Sequence, residues 1–165
     1  MKKALMCIMA LVMLLGVAGC DNLDDDRITG PCRIDLGMIG TWTVYGVHSV
    51  GDYRVFIRER SVPSNFPYTA TTYTGNGGVL LMGVSGSAGV QPVAYEMACP
   101  YCRKHSILIE VDNESLLAVC RTCDSHFDVL MGSGQPVSGP AHSKHYGLHR
   151  YNVRPTVNGG YLITN

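Results

Sequence analysis

The sequence predicts an all-β domain on two observations. Short apolar runs closed off by Gly, Pro, Ser or Asn recur at close spacing, and abundant Gly (19) and Tyr (9), with runs of Thr and Val, favour turns and strands over long helices. At 165 residues the chain can bury one sizeable core, but without any targeting segment it is too short for two ordinary domains. Residues 41–48 (TWTVYGVH), 53–57, 68–73, 79–84 and 93–97 predict strands. So do residues 107–111, 116–119, 126–130, 147–153 and 160–163. About ten short strands at this spacing is the pattern of a sandwich or barrel. Asp112-Asn113-Glu114-Ser115 reads as a tight turn joining residues 107–111 to 116–119 in a hairpin. Gly75-Asn76-Gly77-Gly78 and Ser85-Gly86-Ser87-Ala88-Gly89 are too short for domain linkers and read as turns.

The amino terminus predicts export. Lys2 and Lys3 precede an uncharged apolar stretch, residues 4–19, shorter than the roughly 20 residues a membrane span needs. It closes on Val17-Ala18-Gly19-Cys20, which resembles a lipobox: residues 1–19 would be removed and Cys20 lipidated, anchoring the chain to a membrane. An ordinary secretory signal cleaved nearby is the alternative. Residues 20–31 begin with an acidic run, Asp21-Asn22-Leu23-Asp24-Asp25-Asp26, too poor in apolar residues to pack, and read as a solvated tether. The run resembles the export tag of surface lipoproteins of Bacteroides-like bacteria, which implies the cell envelope, at the outer membrane or cell surface. Loss of Lys2 and Lys3 leaves 11 basic against 13 acidic residues. A charge of about −2 without a basic cluster gives no support for nucleic-acid binding. The folded domain is expected over residues 32–165, beginning where apolar and polar residues start to alternate near Ile34.

The chemistry concentrates in Cys99-Pro100-Tyr101-Cys102 and Cys120-Arg121-Thr122-Cys123, two C-x-x-C units whose separation falls in the range of zinc sites. Two residues between cysteines let one tight turn aim both thiolates at a point. A second turn, brought alongside by the intervening hairpin, completes a tetrahedron of sulfurs. Disulfides are the alternative, because thiols outside the cytoplasm oxidise; unpaired structural thiols are a third reading. A thioredoxin-like pair would need a βαβ context that this sequence does not offer.

Four stretches in order, Ala98-Cys99-Pro100-Tyr101, Cys120 to Phe127 (CRTCDSHF), Gly139-Pro140-Ala141 and Leu148 to Val153 (LHRYNV), resemble a Rieske-type iron–sulfur domain. The resemblance is specifically to the divergent Rieske-like lipoproteins of Bacteroides-like bacteria, over residues 93–164. The resemblance implies a Rieske-like sandwich of short antiparallel strands with a small, zinc-ribbon-like metal lobe over about residues 97–140. It places Cys99 and Cys120 on one iron, Ser125 in a hydrogen bond near the cluster, Phe127 as a packing aromatic, and Gly139-Pro140-Ala141 as a covering loop. The departure is at the two histidines that bind the outer iron: Cys123 stands for one, and Tyr101, with Cys102 beside it, for the other. Four thiolates are then expected to hold a [2Fe–2S] cluster of the ferredoxin ligand type, at a lower potential than His-ligated centres. One zinc or one iron on the same ligands is the alternative.

The remaining candidates read as structural. His105 and His126 could replace an unused cysteine, since imidazole suits both metals, but loop and strand positions explain them; His142, His145 and His149 read as a polar loop. Cys32 is the odd thiol, free, capped or paired between chains. Trp42 and the tyrosines at 45, 53, 68 and 73 read as core and cross-strand residues. No Ser-His-Asp, paired-carboxylate or phosphate-loop pattern appears, and an oxygenase role would need a further domain. The sequence thus leads to a membrane-tethered electron-transfer module, a redox carrier rather than a catalyst, with no partner specified. The rival is a non-enzymatic binding or structural lipoprotein whose lobe is held shut by zinc or disulfides.

Overall fold

A computed structural model describes residues 29–165. The expected signal at residues 1–19, the lipidated Cys20 and most of the acidic tether lie outside the described residues. Within them, no helix is long and apolar enough to cross a membrane.

The fold is mostly antiparallel β. Strands β1 (Cys32–Met38), β2 (Tyr53–Phe56), β3 (Tyr73–Thr74), β4 (Val79–Gly86), β5 (Gly89–Glu96), β10 (Arg150–Pro155) and β11 (Gly159–Thr164) form one sheet, ordered β2-β4-β5-β10-β11-β1-β3. Strands β6 (Glu110–Val111), β7 (Leu117–Cys120), β8 (Ser125–Asp128) and β9 (Gln135–Ser138) form a second sheet in sequence order. The small sheet lies in sequence between β5 and β10, which pair directly in the large one, Arg150 opposite Tyr95 and Tyr151 opposite Ala94.

The apolar run of β4 (VLLMGV) explains how the layers meet. It is buried on both faces, as expected of a strand packed on either side. Leu80, Met82 and Val84, with Val93, Tyr95 and Met97, face a core shared with the small lobe, including Ile109, Ala118, Phe127 and Leu148. Val79, Leu81 and Ala94 face a second core with Ile34, Leu36, Phe56, Tyr151 and Ile163. Strands from both ends of the large sheet supply that second core, so the sheet curls around it.

Residues 41–48, expected as a strand, instead form most of a short helix, α1 (Ile39–Tyr45). Its Trp42 is buried, with its ring 4.5 Å from that of Tyr161, and the Thr43 hydroxyl donates to the Ile39 carbonyl at 2.8 Å. Docking one indole outweighs the weak strand preference of Thr41, Thr43 and Val44. Of residues 68–73, only Tyr73 enters a strand. The β6–β7 hairpin is present: Asp112 Oδ1 accepts the N–H groups of Glu114 and Ser115, at 3.2 and 2.8 Å.

Two further elements lie after β8. Strand β9 carries Pro136 at the edge of the small sheet, where a missing N–H costs no ladder bond. It leads into a second short helix, α2 (Gly139–Lys144), with Pro140 in its first turn.

Candidate metal centre

Each C-x-x-C unit occupies a turn between paired segments. In the first, the Cys99 N–H donates to the Ile107 carbonyl at 2.9 Å and the Ile109 N–H to the Met97 carbonyl at 2.8 Å, drawing residues 97–109 into a loop with its ends paired. In the second, Cys120 pairs with Ser125 where β7 turns into β8. The two turns close alike. The Arg103 N–H donates to the Cys99 carbonyl at 3.0 Å and the Asp124 N–H to the Cys120 carbonyl at 2.8 Å. Arg103 and Asp124, each directly after the second cysteine of its pair, both have φ 54°. That left-handed step closes each turn after its second cysteine.

Together the turns bring the Sγ atoms of Cys99, Cys102, Cys120 and Cys123 within 4.8 Å of one another. Cys99 approaches Cys123 at 3.7 Å and Cys102 approaches Cys120 at 3.8 Å. All four are free thiols, with Cys99 and Cys120 buried and Cys102 and Cys123 half-buried. Among the described residues this is the one group of three or more His, Cys, Asp or Glu side chains whose ligand atoms converge on a point. Neither His105 nor His126 joins it; His126 instead faces Asp124 at 3.2 Å.

The surroundings differ from sulfur to sulfur. Burial pushes the Cys99 thiol up, against the backbone N–H groups of Cys102 and Tyr101 that point at its sulfur. Burial and the neighbouring thiols push Cys102 up to about 12. Burial acts on Cys123 too, but the hydroxyl and N–H of Ser125 outweigh it and hold that thiol below its ordinary value. Ser125 is fully buried, with Oγ 3.2 Å from Cys123 Sγ, and accepts the Ala141 N–H at 3.0 Å. Phe127 is fully buried in the core that holds Cys99 and Cys120. Gly139, at φ +77°, runs so close to the second turn that a Cβ there would lie 2.3 Å from the Asp124 carbonyl oxygen. The segment containing Gly139 and Pro140 is thus pressed against the Cys120–Cys123 turn.

The residues present fit a metal. Four thiols converging in a mostly buried pocket are the donor set of zinc or of iron with sulfur. Without an ion, four thiols in mutual contact bring little bonding of their own, because S–H is a weak donor.

Sequence reasoning passed over Glu96. It is 1% exposed, yet its carboxylate accepts four hydrogen bonds: from the N–H groups of Asn76 (2.7 Å), Gly77 (2.8 Å) and Ala98 (2.9 Å), and from the Tyr151 hydroxyl (2.7 Å). Gly75, at φ +70°, leaves room for it; a Cβ there would lie 2.4 Å from both Glu96 Oε2 and the Tyr151 hydroxyl. This anchor fixes the chain just before Cys99. The signal was a lone acid inside an apolar run, VAYEMA.

No family model, curated protein or solved structure matches the chain.

Proposed function

We propose that the four thiolates hold a single ion, zinc, and that the chain is a lipid-anchored envelope domain in which this ion holds the small lobe shut. The observation that carries the reading is the spacing of the sulfurs. Four sulfurs about 2.3 Å from one zinc stand about 3.8 Å apart. The 3.7 and 3.8 Å contacts match that edge, and although two separate pairs would also suit two irons, all four sulfurs lie within 4.8 Å of one another, as ligands of one ion do. A two-iron cluster sets its thiolates in two pairs at opposite ends, farther apart than sulfurs sharing one ion. Zinc supplies no redox chemistry; bound, it cross-links the two turns, and its binding energy becomes folding energy. The protein's own residues orient the sulfurs, through the paired turns and Ser125, and keep water from Cys99 and Cys120.

The Ser125–Cys123 contact and the start of α2 packed on the second turn favour a second reading, an electron carrier with a [2Fe–2S] cluster on the same four cysteines. Metal analysis and a visible spectrum of the mature chain, purified anaerobically, separate the two. One zinc per chain and no colour supports the first reading. Two irons with two sulfides, and colour bleached by Cys123→Ser, overturn it.

Lipid anchoring rests on the small residues before Cys20 and on the acidic run behind it. Labelling cells with a fatty acid tests it: the wild type is expected to carry label in the membrane fraction, and Cys20→Ser to carry none.

A further inference from the structure

All four sulfurs lie within 4.8 Å of one another, and two of their contacts, at 3.7 and 3.8 Å, run between the turns and join a half-buried sulfur to a fully buried one: Cys123 to Cys99, and Cys102 to Cys120. A hydroperoxide reaches the half-buried member first, and its buried partner lies in contact, placed to resolve the oxidised sulfur. We propose that the centre is a site of oxidative modification, in which a hydroperoxide converts it to two disulfides, Cys99–Cys123 and Cys102–Cys120, as the ion leaves. The release of the ion rests on the single-ion reading; the choice of partners rests on these two contacts, on the burial difference within each and on their running between the turns.

The chemistry balances. The half-buried thiolate attacks a peroxide oxygen, the O–O bond breaks, hydroxide departs and a sulfenic acid forms. The buried thiolate of the same pair then attacks that sulfur and expels a second hydroxide, closing the S–S bond. Each pair gives up two electrons and one peroxide accepts them. Two peroxides thus convert four thiolates to two disulfides and four hydroxides, leaving the zinc without ligands.

These pairings also preserve the fold. They span 24 and 18 residues and tie the first turn to the second, as the ion does. Links within a C-x-x-C unit would close only a short ring and leave the turns unconnected. The lobe would therefore stay closed after the metal is lost.

The test is mass spectrometry of the wild-type mature chain after titration with hydrogen peroxide, with released zinc followed by a chromogenic chelator. Chymotrypsin cutting after Tyr101 and trypsin cutting after Arg121 put all four cysteines on separate peptides. The expected result is loss of four hydrogens per chain, release of one zinc for every two peroxides, and peptides linked Cys99 to Cys123 and Cys102 to Cys120. Links within either unit, links joining the two buried cysteines, or sulfinic acids without disulfides would overturn the proposal. A chain purified without zinc would overturn the single-ion reading instead. Its reduced form, oxidised with diamide, would still have to yield the same two links, and any other pattern sinks the pairing.

Discussion

Ser125 Oγ stands 3.2 Å from Cys123 Sγ while accepting the Ala141 N–H, so one buried hydroxyl joins a metal-ligand candidate to α2, whose first turn, Gly139-Pro140-Ala141, stands where a covering loop was expected. Ser125→Ala leaves that N–H buried without an acceptor, at a cost of about 1–3 kcal/mol in chemical denaturation. It also removes a partner of the Cys123 sulfur, so metal affinity in a chelator competition should fall about 10- to 100-fold. Unchanged affinity would show that the hydroxyl serves the helix alone.

Metal removal should act unevenly. With a chelator under reducing conditions, amides of β7 and β8 should exchange with solvent faster, while those of β1 and β11, on the far side of the large sheet, keep their protection. Uniform acceleration would mean that lobe and sheet unfold together.

Glu96→Gln retains an acceptor for the Gly77 and Ala98 N–H groups but turns an amide N–H₂ toward the Asn76 N–H. Donor then meets donor in a buried site, and stability should drop by about 1–3 kcal/mol. Tyr151→Phe should cost less and should not add fully to Glu96→Gln, since both act on one carboxylate.

Cys32 gives a pH dependence. Burial, with the Glu96 charge nearby, pushes its thiol from 9.0 up to about 12. The unfolded chain therefore releases this proton first, and stability falls as pH rises from about 9 towards 12. Cys32→Ala should flatten that part of the curve in thermal melts read against pH, and an unaltered slope would assign it to another group.

Phe127 fills the core beneath the lobe and is fully buried. Phe127→Ala should cost about 3–5 kcal/mol in urea unfolding.

The all-β class and the four-cysteine site were legible because both are written locally, in alternation and in spacing. The β6–β7 turn was legible in Asp112, whose side chain caps its own loop. Helix α1 was not, since Thr41, Thr43 and Val44 read as strand and long-range contacts, Trp42 against Tyr161 and the core beside it, decide otherwise. Strand β9 was hidden by Pro136, which is tolerated only because the strand lies at an edge. The Glu96 anchor joins residues 75–77, 96–98 and 151, and no window of sequence contains all three.

The double-sided burial of β4 and β5 carries a further consequence. Leu80, Met82, Val93 and Tyr95 are covered by the small lobe. Were the lobe to swing away, the large sheet would offer a bare greasy floor to any neighbouring molecule. Closure of the lobe thus keeps this floor from water as well as completing the core.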